Sequence, residues 1–142
     1  VKIVSFTGST EIGRKVSEAC APKFKHVCLE MGGKNVQIVM DDANLDLAVE
    51  GALWGAFGTT GQRCTATSRL IVHKDIAQKM IGMLVDRAKK LRVGNGLDDS
   101  VNMGPCVNES QMNTVLSYVD IGKKDGATLL CGGSRLSGGA YD

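Results

Sequence analysis

The chain has 142 residues, of which 43% are hydrophobic and 23% charged, a composition typical of a soluble protein with a buried core. Its formal net charge of +2 is spread without a run of five like charges, and aromatic residues amount to 4%, so we expect no nucleic-acid partner. No stretch of about 18 apolar residues is present, and the first residues do not resemble a signal peptide. We therefore expect a cytoplasmic protein with no membrane partner.

The cysteines and the chain ends restrict the interpretation further. Five cysteines are an odd number without a Cys-x-x-Cys pair, which indicates neither a disulfide framework nor a metal site. In a reducing compartment each thiol stays free, so the question is which of them is reactive. The chain opens within an apolar run and stops without a closing element, and we expect it to be part of a longer protein.

Apolar runs and helical patterns alternate along the first half of the chain. Three runs, each ended by glycine or by small polar residues, predict strands at residues 1–6, 27–31 and 36–40. Residues 10–21, between the first two runs, have a helical pattern. Asn44 is a suitable N-cap for a further helix, in which small and apolar residues recur at helical spacing.

The second half continues the alternation. A break at Gly58–Gly61 precedes a predicted strand at 69–73 and an amphipathic helix at 74–91. A glycine-rich loop then leads to a helix at 109–124 and a last strand at 128–131. Strands that alternate with helices predict an α/β fold with an open, mostly parallel sheet and flanking helices.

The first candidate site is the turn that joins the first predicted strand to the first helix. It contains Gly8 and Ser9, and Gly13 follows shortly after. Such a turn directs free backbone N–H groups and the positive end of a helix to one point, which suits a phosphate. The pattern is neither G-x-G-x-x-G nor a P-loop, so these residues alone are explained as well by a tight turn with a serine or threonine cap.

The second candidate site is the carboxylate of Glu30, at the end of a predicted strand that runs into Gly32 and Gly33. Ligands bind at the ends of strands in parallel α/β sheets, and glycines beside an acid leave room for a substrate or a cofactor ring. A carboxylate in a crowded cleft is suited to act as a general base. The alternative for these residues alone is a solvated acid followed by a turn.

The third candidate site is Cys64, just beyond the glycine-rich stretch Gly58 to Gly61. Its polar and glycine neighbours differ from the apolar surroundings of a structural cysteine, and loop amides can stabilise a thiolate or an oxyanion. Arg63, directly before it, can favour the thiolate if its side chain points that way. Most single cysteines are inert, and Cys28 is expected to be an inert strand residue.

Together, the motifs Phe-Thr-Gly-Ser, Leu-Glu-Met-Gly-Gly-Lys-Asn and Gly-Gln-Arg-Cys resemble, in order and spacing, the aldehyde dehydrogenase superfamily. The resemblance covers essentially the whole chain and implies an aldehyde dehydrogenase-like catalytic domain. It implies that Cys64 is the nucleophile and Glu30 the general base. It further implies that Gly8, Ser9 and Gly13 form the nucleotide turn, with NAD or NADP as the cofactor.

The resemblance also implies a position for Gly32, beside the nicotinamide, and a domain organisation. Residues 1–32 correspond to the end of the dinucleotide-binding domain, and residues 33–142 to part of the catalytic domain. An asparagine that completes the oxyanion site, the groups that hold the cofactor ribose and the dimer-forming segment lie outside these residues. The 142 residues alone are therefore expected to be inactive, and the longer protein to be a homodimer or homotetramer.

The implied reaction is oxidation of an aldehyde to a carboxylic acid through a thiohemiacetal and a thioester on Cys64, with Glu30 activating the water that releases the product. Two alternatives stay open. One is an enzyme that passes the acyl group to coenzyme A and needs no such base. The other is a non-catalytic binding or structural protein on the same fold. In all three cases Trp54 and Phe57 are expected to be core residues.

Overall fold

The computed structural model describes residues 1–138, and its first three elements form a strand–helix–strand unit. Strand β1 (Ile3–Gly8) and strand β2 (His26–Met31) pair in parallel, and helix α1 (Thr10–Cys20) packs against both. A short 3₁₀ turn, Ala21–Lys23, leads from the helix into β2. Because β1 and β2 are parallel, the turn after β1 and the end of β2 lie at the same edge of the sheet.

A second parallel pair follows. Strand β3 (Asn35–Val39) pairs with strand β4 (Thr67–Val72), and helix α2 (Leu45–Phe57) connects them. Helix α3 (Lys74–Ala88) comes next and packs against α2 and β4. The side chain of Asn44 caps α2 by accepting from the Leu47 N–H at 3.1 Å, as the sequence predicts.

The core of this second unit lies between its sheet and helices α2 and α3. Val39, Val49, Ala52 and Met80 are buried and contact one another. The half-buried Arg87 of α3 also binds two carboxylates of α2, those of Asp46 and Glu50. Apolar burial and these ion pairs therefore hold α3 onto α2, and the burial contributes most, because partly exposed ion pairs stabilise little.

The last helix, α4 (Glu109–Lys124), has the predicted bounds, and the Asn108 side chain caps it by accepting from the Gln111 N–H at 2.9 Å. In the loop before it, the Asp98 carboxylate accepts the Ser100 N–H at 2.8 Å, and this hydrogen bond holds the pKa of Asp98 below its usual value.

The predicted α/β class, with parallel strands and flanking helices, is confirmed, and within residues 1–138 the strands form two two-stranded sheets. The strand predicted at 128–131 is wrong, because those residues have no regular structure. Its apolar character depends on Leu129 and Leu130, which are 44% and 52% exposed. A strand needs a neighbour for its N–H and C=O groups, and no strand among the described residues pairs with this run.

No helix in the described part of the chain has the length and apolar character that spanning a bilayer requires.

Candidate active site

Cys64 lies in the segment that joins α2 to β4, and we name residues 58–66 the Cys64 loop. The loop begins with Thr59, Thr60 and Gly61 in the left-handed region, at φ values of 53°, 59° and 67°. Threonine is β-branched and rarely adopts this conformation, which costs on the order of 1–3 kcal/mol per residue. At Gly61 a side chain is excluded, because an added Cβ would lie 2.7 Å from the Ala56 carbonyl oxygen. Such strained backbone persists only where surrounding contacts determine it.

The side chain of Asn35 supplies one of these contacts. Its Nδ2 donates to the carbonyl oxygen of Cys64 at 2.6 Å and to that of Ala66 at 3.2 Å. The Ala66 N–H donates to the Arg63 carbonyl at 3.1 Å and closes a turn around the cysteine. The backbone that follows Cys64 is therefore tied directly to the first residue of β3, and the backbone before it only through this turn.

Two further contacts tie the Cys64 loop to the segment that precedes α4. The Thr60 hydroxyl donates to the Gly104 carbonyl at 3.0 Å. The Gln62 side-chain oxygen accepts the Val107 N–H at 3.1 Å. These residues are more than 40 positions apart in the sequence, so no local pattern indicates that they meet.

Arg63 is held against helix α2. Its guanidinium carbon lies 4.1 Å from the centroid of the Trp54 ring, and Nη2 donates to the Trp54 carbonyl at 3.5 Å. Its Nε is buried without a hydrogen-bond acceptor among residues 1–138. The guanidinium therefore stacks on α2 instead of standing free beside the thiol.

The prediction that Trp54 is a core residue is wrong for the described chain. Trp54 is 67% exposed, and the Arg63 guanidinium stacks on its ring.

The five cysteines differ in exposure. Cys20 is buried, Cys106 and Cys131 are half-buried, and Cys28 and Cys64 are exposed. Cys28 lies in strand β2, as expected, and burial alternates along this strand with Cys28 and Glu30 on the exposed side. Cys64 is thus exposed, as a nucleophile requires, and Cys28 is a second exposed cysteine, in a regular strand, for comparison.

Glu30 lies near the end of β2, opposite Thr7 of β1, and it is exposed. The crowded cleft expected around this carboxylate is not formed by residues 1–138. The chain nevertheless limits its distance from the nucleophile. Glu30 is five residues from Asn35, an extended span of at most about 18 Å, and Asn35 bonds the Cys64 backbone. The end of β2 and the Cys64 loop therefore lie in the same region of the molecule.

The glycines of the candidate cofactor sites differ in how much space the surrounding atoms leave for a side chain. An added Cβ would lie 2.5 Å from Phe6 Cζ at Gly8 and 2.6 Å from Met31 Sδ at Gly13, so a side chain at either position would require Phe6 or Met31 to move. At Gly32, by contrast, an added Cβ would meet no atom within 4 Å, and Gly32 is not among the glycines with positive φ. Neither packing nor backbone conformation in the described chain explains the glycine at 32.

Ser9 is the N-cap of α1, and its Oγ accepts the Ile12 N–H at 3.3 Å. The turn therefore has the tight, serine-capped form that the sequence favours when these residues are considered alone. The side chain is exposed at the positive end of an 11-residue helix. This end of α1 is compatible with an anion, although the local geometry is explained without one.

Two open cavities lie elsewhere on the described chain. One of about 490 Å³ is lined by residues 91–95 and by Leu136, and one of about 200 Å³ lies between Trp54, Phe57 and Leu91. Neither Cys64 nor Glu30 lines them. Both candidate residues are exposed in the described chain.

The described site also contains two features that the sequence did not reveal. The first is the pair of hydrogen bonds from Asn35 to the Cys64 loop, and the second is the left-handed Thr59 and Thr60. Asn35 belongs to the motif that carries Glu30, so its position in a candidate site was visible. The contact of Asn35 with Cys64 could not be predicted from the sequence, because this contact depends on the pairing of β3 with β4.

Comparisons with known proteins agree on one family. The model of the aldehyde dehydrogenase family matches residues 1–141. A betaine aldehyde dehydrogenase of Brucella anthropi is 45% identical over 130 residues, which are 92% of this chain and 27% of that protein. An alpha-ketoglutaric semialdehyde dehydrogenase of Bacillus subtilis is 44% identical over 141 residues, which are 99% of this chain and 29% of that protein.

Solved structures give the same result. The crystal structure of betaine aldehyde dehydrogenase from Staphylococcus aureus in complex with NAD+ matches with a TM-score of 0.95 at 40% identity. The match covers 99% of this chain and 28% of that one. The chain therefore spans less than a third of the length of the relatives that it matches. Since the family model extends over nearly every residue, the chain belongs to the aldehyde dehydrogenase family.

Proposed function

We propose that the protein containing this chain oxidises an aldehyde to a carboxylic acid, with Cys64 as the nucleophile, Glu30 as the general base and NAD or NADP as the cofactor. The observation that carries the proposal is the accessible Cys64 thiol in a loop whose backbone is held by Asn35, in a chain of the aldehyde dehydrogenase family. Relatives support the substrate class, since those compared are named for the aldehydes betaine aldehyde and alpha-ketoglutaric semialdehyde.

The chemistry follows from the two side chains. The Cys64 thiolate attacks the aldehyde carbon, and a carbon–sulfur bond forms as the carbonyl oxygen becomes an alkoxide. The Cys64 backbone N–H is one donor that stabilises this alkoxide. A nicotinamide held beside Gly32 would supply the acceptor for the hydride of the thiohemiacetal. Water then attacks the resulting thioester, Glu30 takes a proton from that water, and the carboxylic acid leaves as the thiol is restored.

The cofactor-binding residues fit this proposal. Gly32 has open space where a side chain would stand, which suits a flat ring at that position. The exposed Ser9 at the positive end of α1, between Gly8 and Gly13, suits a phosphate. The S. aureus relative contains NAD+, which supports a nicotinamide cofactor for this family member.

The domain organisation is part of the same proposal. Residues 1–32 end a dinucleotide-binding domain, and residues 33–142 begin the catalytic domain. In support, β1, α1 and β2 pack on one another, whereas β3, α2, β4 and α3 share a separate core.

The chain spans less than a third of the length of its relatives, so the 142 residues alone are expected to be inactive. The complete protein is proposed to be a cytoplasmic homodimer or homotetramer.

The role of Glu30 is tested with Glu30→Gln in the complete protein. If Glu30 activates the hydrolytic water, the variant forms about one equivalent of reduced cofactor per site in a burst and then slows by about 100-fold or more. Rapid mixing with NAD+ or NADP+ and a simple aldehyde, followed at 340 nm, measures both phases. Cys64→Ser is the control, and it should lose the burst as well. A full steady-state rate in Glu30→Gln contradicts the assignment, and a rate that depends on coenzyme A identifies the acyl-transfer alternative.

Alkylation tests the alternative that the protein is not catalytic. Cys64 and Cys28 are both exposed, so accessibility alone predicts similar rates of reaction with iodoacetamide. A catalytic thiol should react at least about 10-fold faster than the strand thiol, because its surroundings stabilise the thiolate. Peptide mass spectrometry of the two sites gives the ratio. Equal rates at Cys64 and Cys28 favour a binding or structural protein.

A further inference from the structure

We propose that Asn35 is a positioning residue for the nucleophile, holding the carbonyl groups of Cys64 and Ala66, and through them the turn that contains Cys64, in one orientation. The inference rests on the function proposed above. The Asn35 Nδ2 atom carries two hydrogens, and the two carbonyl oxygens that it contacts belong to Cys64 and Ala66, at 2.6 and 3.2 Å. Both donors are thus directed into the Cys64 loop.

Asn35 is well placed to act as an anchor because it belongs to a paired strand. It is the first residue of β3 and is in register with Thr67 of β4. The register between the two strands shifts between Asn35 and Val36, because β4 has one extra residue, Ser68, at this point. The Asn35 carbonyl also accepts the Ser68 hydroxyl at 3.5 Å. The amide is therefore held at its backbone while its head group reaches the loop.

Holding these carbonyls restricts the direction of the sulfur. The Ala66 N–H bonds the Arg63 carbonyl, so residues 63–66 already form a closed turn. Asn35 fixes that turn relative to the sheet. The Cα–Cβ bond of Cys64 and its backbone N–H then keep a defined direction. This matters because a misplacement of about 1 Å in a reacting group can lower a rate by about 100-fold.

The chain offers a matched control two residues further along the same strand. Gln37 points to the same side of β3 as Asn35, and its Nε2 donates to the Ala48 carbonyl of α2 at 2.8 Å. It is thus also an amide that anchors a backbone carbonyl, but at a helix instead of the Cys64 loop. Replacing either amide by the carboxylate of the same shape removes the donors and leaves the volume unchanged.

The experiment compares Asn35→Asp with Gln37→Glu in the complete protein and measures alkylation of Cys64 relative to Cys28 from pH 6 to about 9, across the range in which thiols ionise. We expect Asn35→Asp to lower the ratio by about 10- to 100-fold at neutral pH and to displace its pH profile. In Gln37→Glu the ratio should stay within about twofold of the wild type, even if the melting temperature falls. The rate of the cofactor burst should fall only in Asn35→Asp.

Asn35→Ala, which removes the donors without adding charge, covers the case in which Asn35→Asp does not fold, and it should lower the ratio as well. A Cys64 to Cys28 ratio and pH profile unchanged from the wild type in the folded Asn35 variant would overturn the proposal. So would an equal decrease in Gln37→Glu, since this would indicate general destabilisation. Failure of the wild-type protein to reduce NAD+ or NADP+ rejects the proposed function instead, and the alkylation ratio still decides the role of Asn35.

Discussion

The Cys64 loop and the segment around Glu30 differ in how far this chain determines their geometry. Side chains or backbone groups from β3 and from the segment before α4 bond to the loop at several points. Residues 30–33, which we name the Glu30 segment, receive no side-chain hydrogen bond from another element of residues 1–138, and Glu30 itself is exposed. The chain thus positions its candidate nucleophile and leaves the surroundings of the candidate base open.

One glycine in each region, Gly61 in the Cys64 loop and Gly32 in the Glu30 segment, shows the same difference. Gly61 in the loop is required by its left-handed φ and by the nearby Ala56 carbonyl, whereas Gly32 meets no neighbour at all. Contacts within this chain therefore require the glycine at position 61, whereas nothing in residues 1–138 requires the glycine at position 32.

The largest effect is expected from Gly61→Ala, which adds a Cβ where φ is +67° and the Ala56 oxygen would lie 2.7 Å away. Left-handed strain and overpacking together should lower the free energy of unfolding by about 2–3 kcal/mol. Urea unfolding of the complete protein measures the change. Gly32→Ala is the control, and its free energy of unfolding should stay level or rise by up to about 1 kcal/mol, as the unfolded chain loses entropy. Similar losses in both variants would remove the distinction between the two regions.

A smaller effect is expected of Gly32→Ala on cofactor binding. If the open space at Gly32 accommodates the nicotinamide, a methyl group there should weaken binding of NAD+ or NADP+ by about 10-fold, or about 1.4 kcal/mol. Calorimetric titration of the folded variant measures the dissociation constant. Unchanged affinity would mean that the space at Gly32 is not used by the cofactor.

The smallest effect is expected from loss of the Thr60 hydroxyl. Thr60→Val keeps the β-branched shape and removes the hydrogen bond to Gly104, which should cost about 1 kcal/mol of unfolding free energy. Thr59→Val is the matched control, because the exposed Thr59 hydroxyl bonds only to the adjacent Gly58 carbonyl. The difference between the two variants in urea unfolding isolates the long-range contact. Equal values would show that the link to Gly104 does not stabilise the loop.

Much of the local structure follows from the order of residues. The caps of Asn44 and Ser9 and the bounds of α4 agree with the sequence patterns, because a helix start depends on a few adjacent side chains. The first four strands also form close to their predicted positions. The fifth does not, since a strand requires a partner and an apolar run cannot specify one.

The sequence by itself determined the α/β class, the order of elements and the three motifs that single out Gly8, Glu30 and Cys64. The tertiary structure alone decided that Asn35 bonds the Cys64 backbone, that Arg63 stacks on Trp54, and that Cys28 and Cys64 are both exposed. These facts depend on strand pairing and on contacts between residues distant in sequence. Periodicity describes which way a side chain points within its own element, and only packing determines what it meets there.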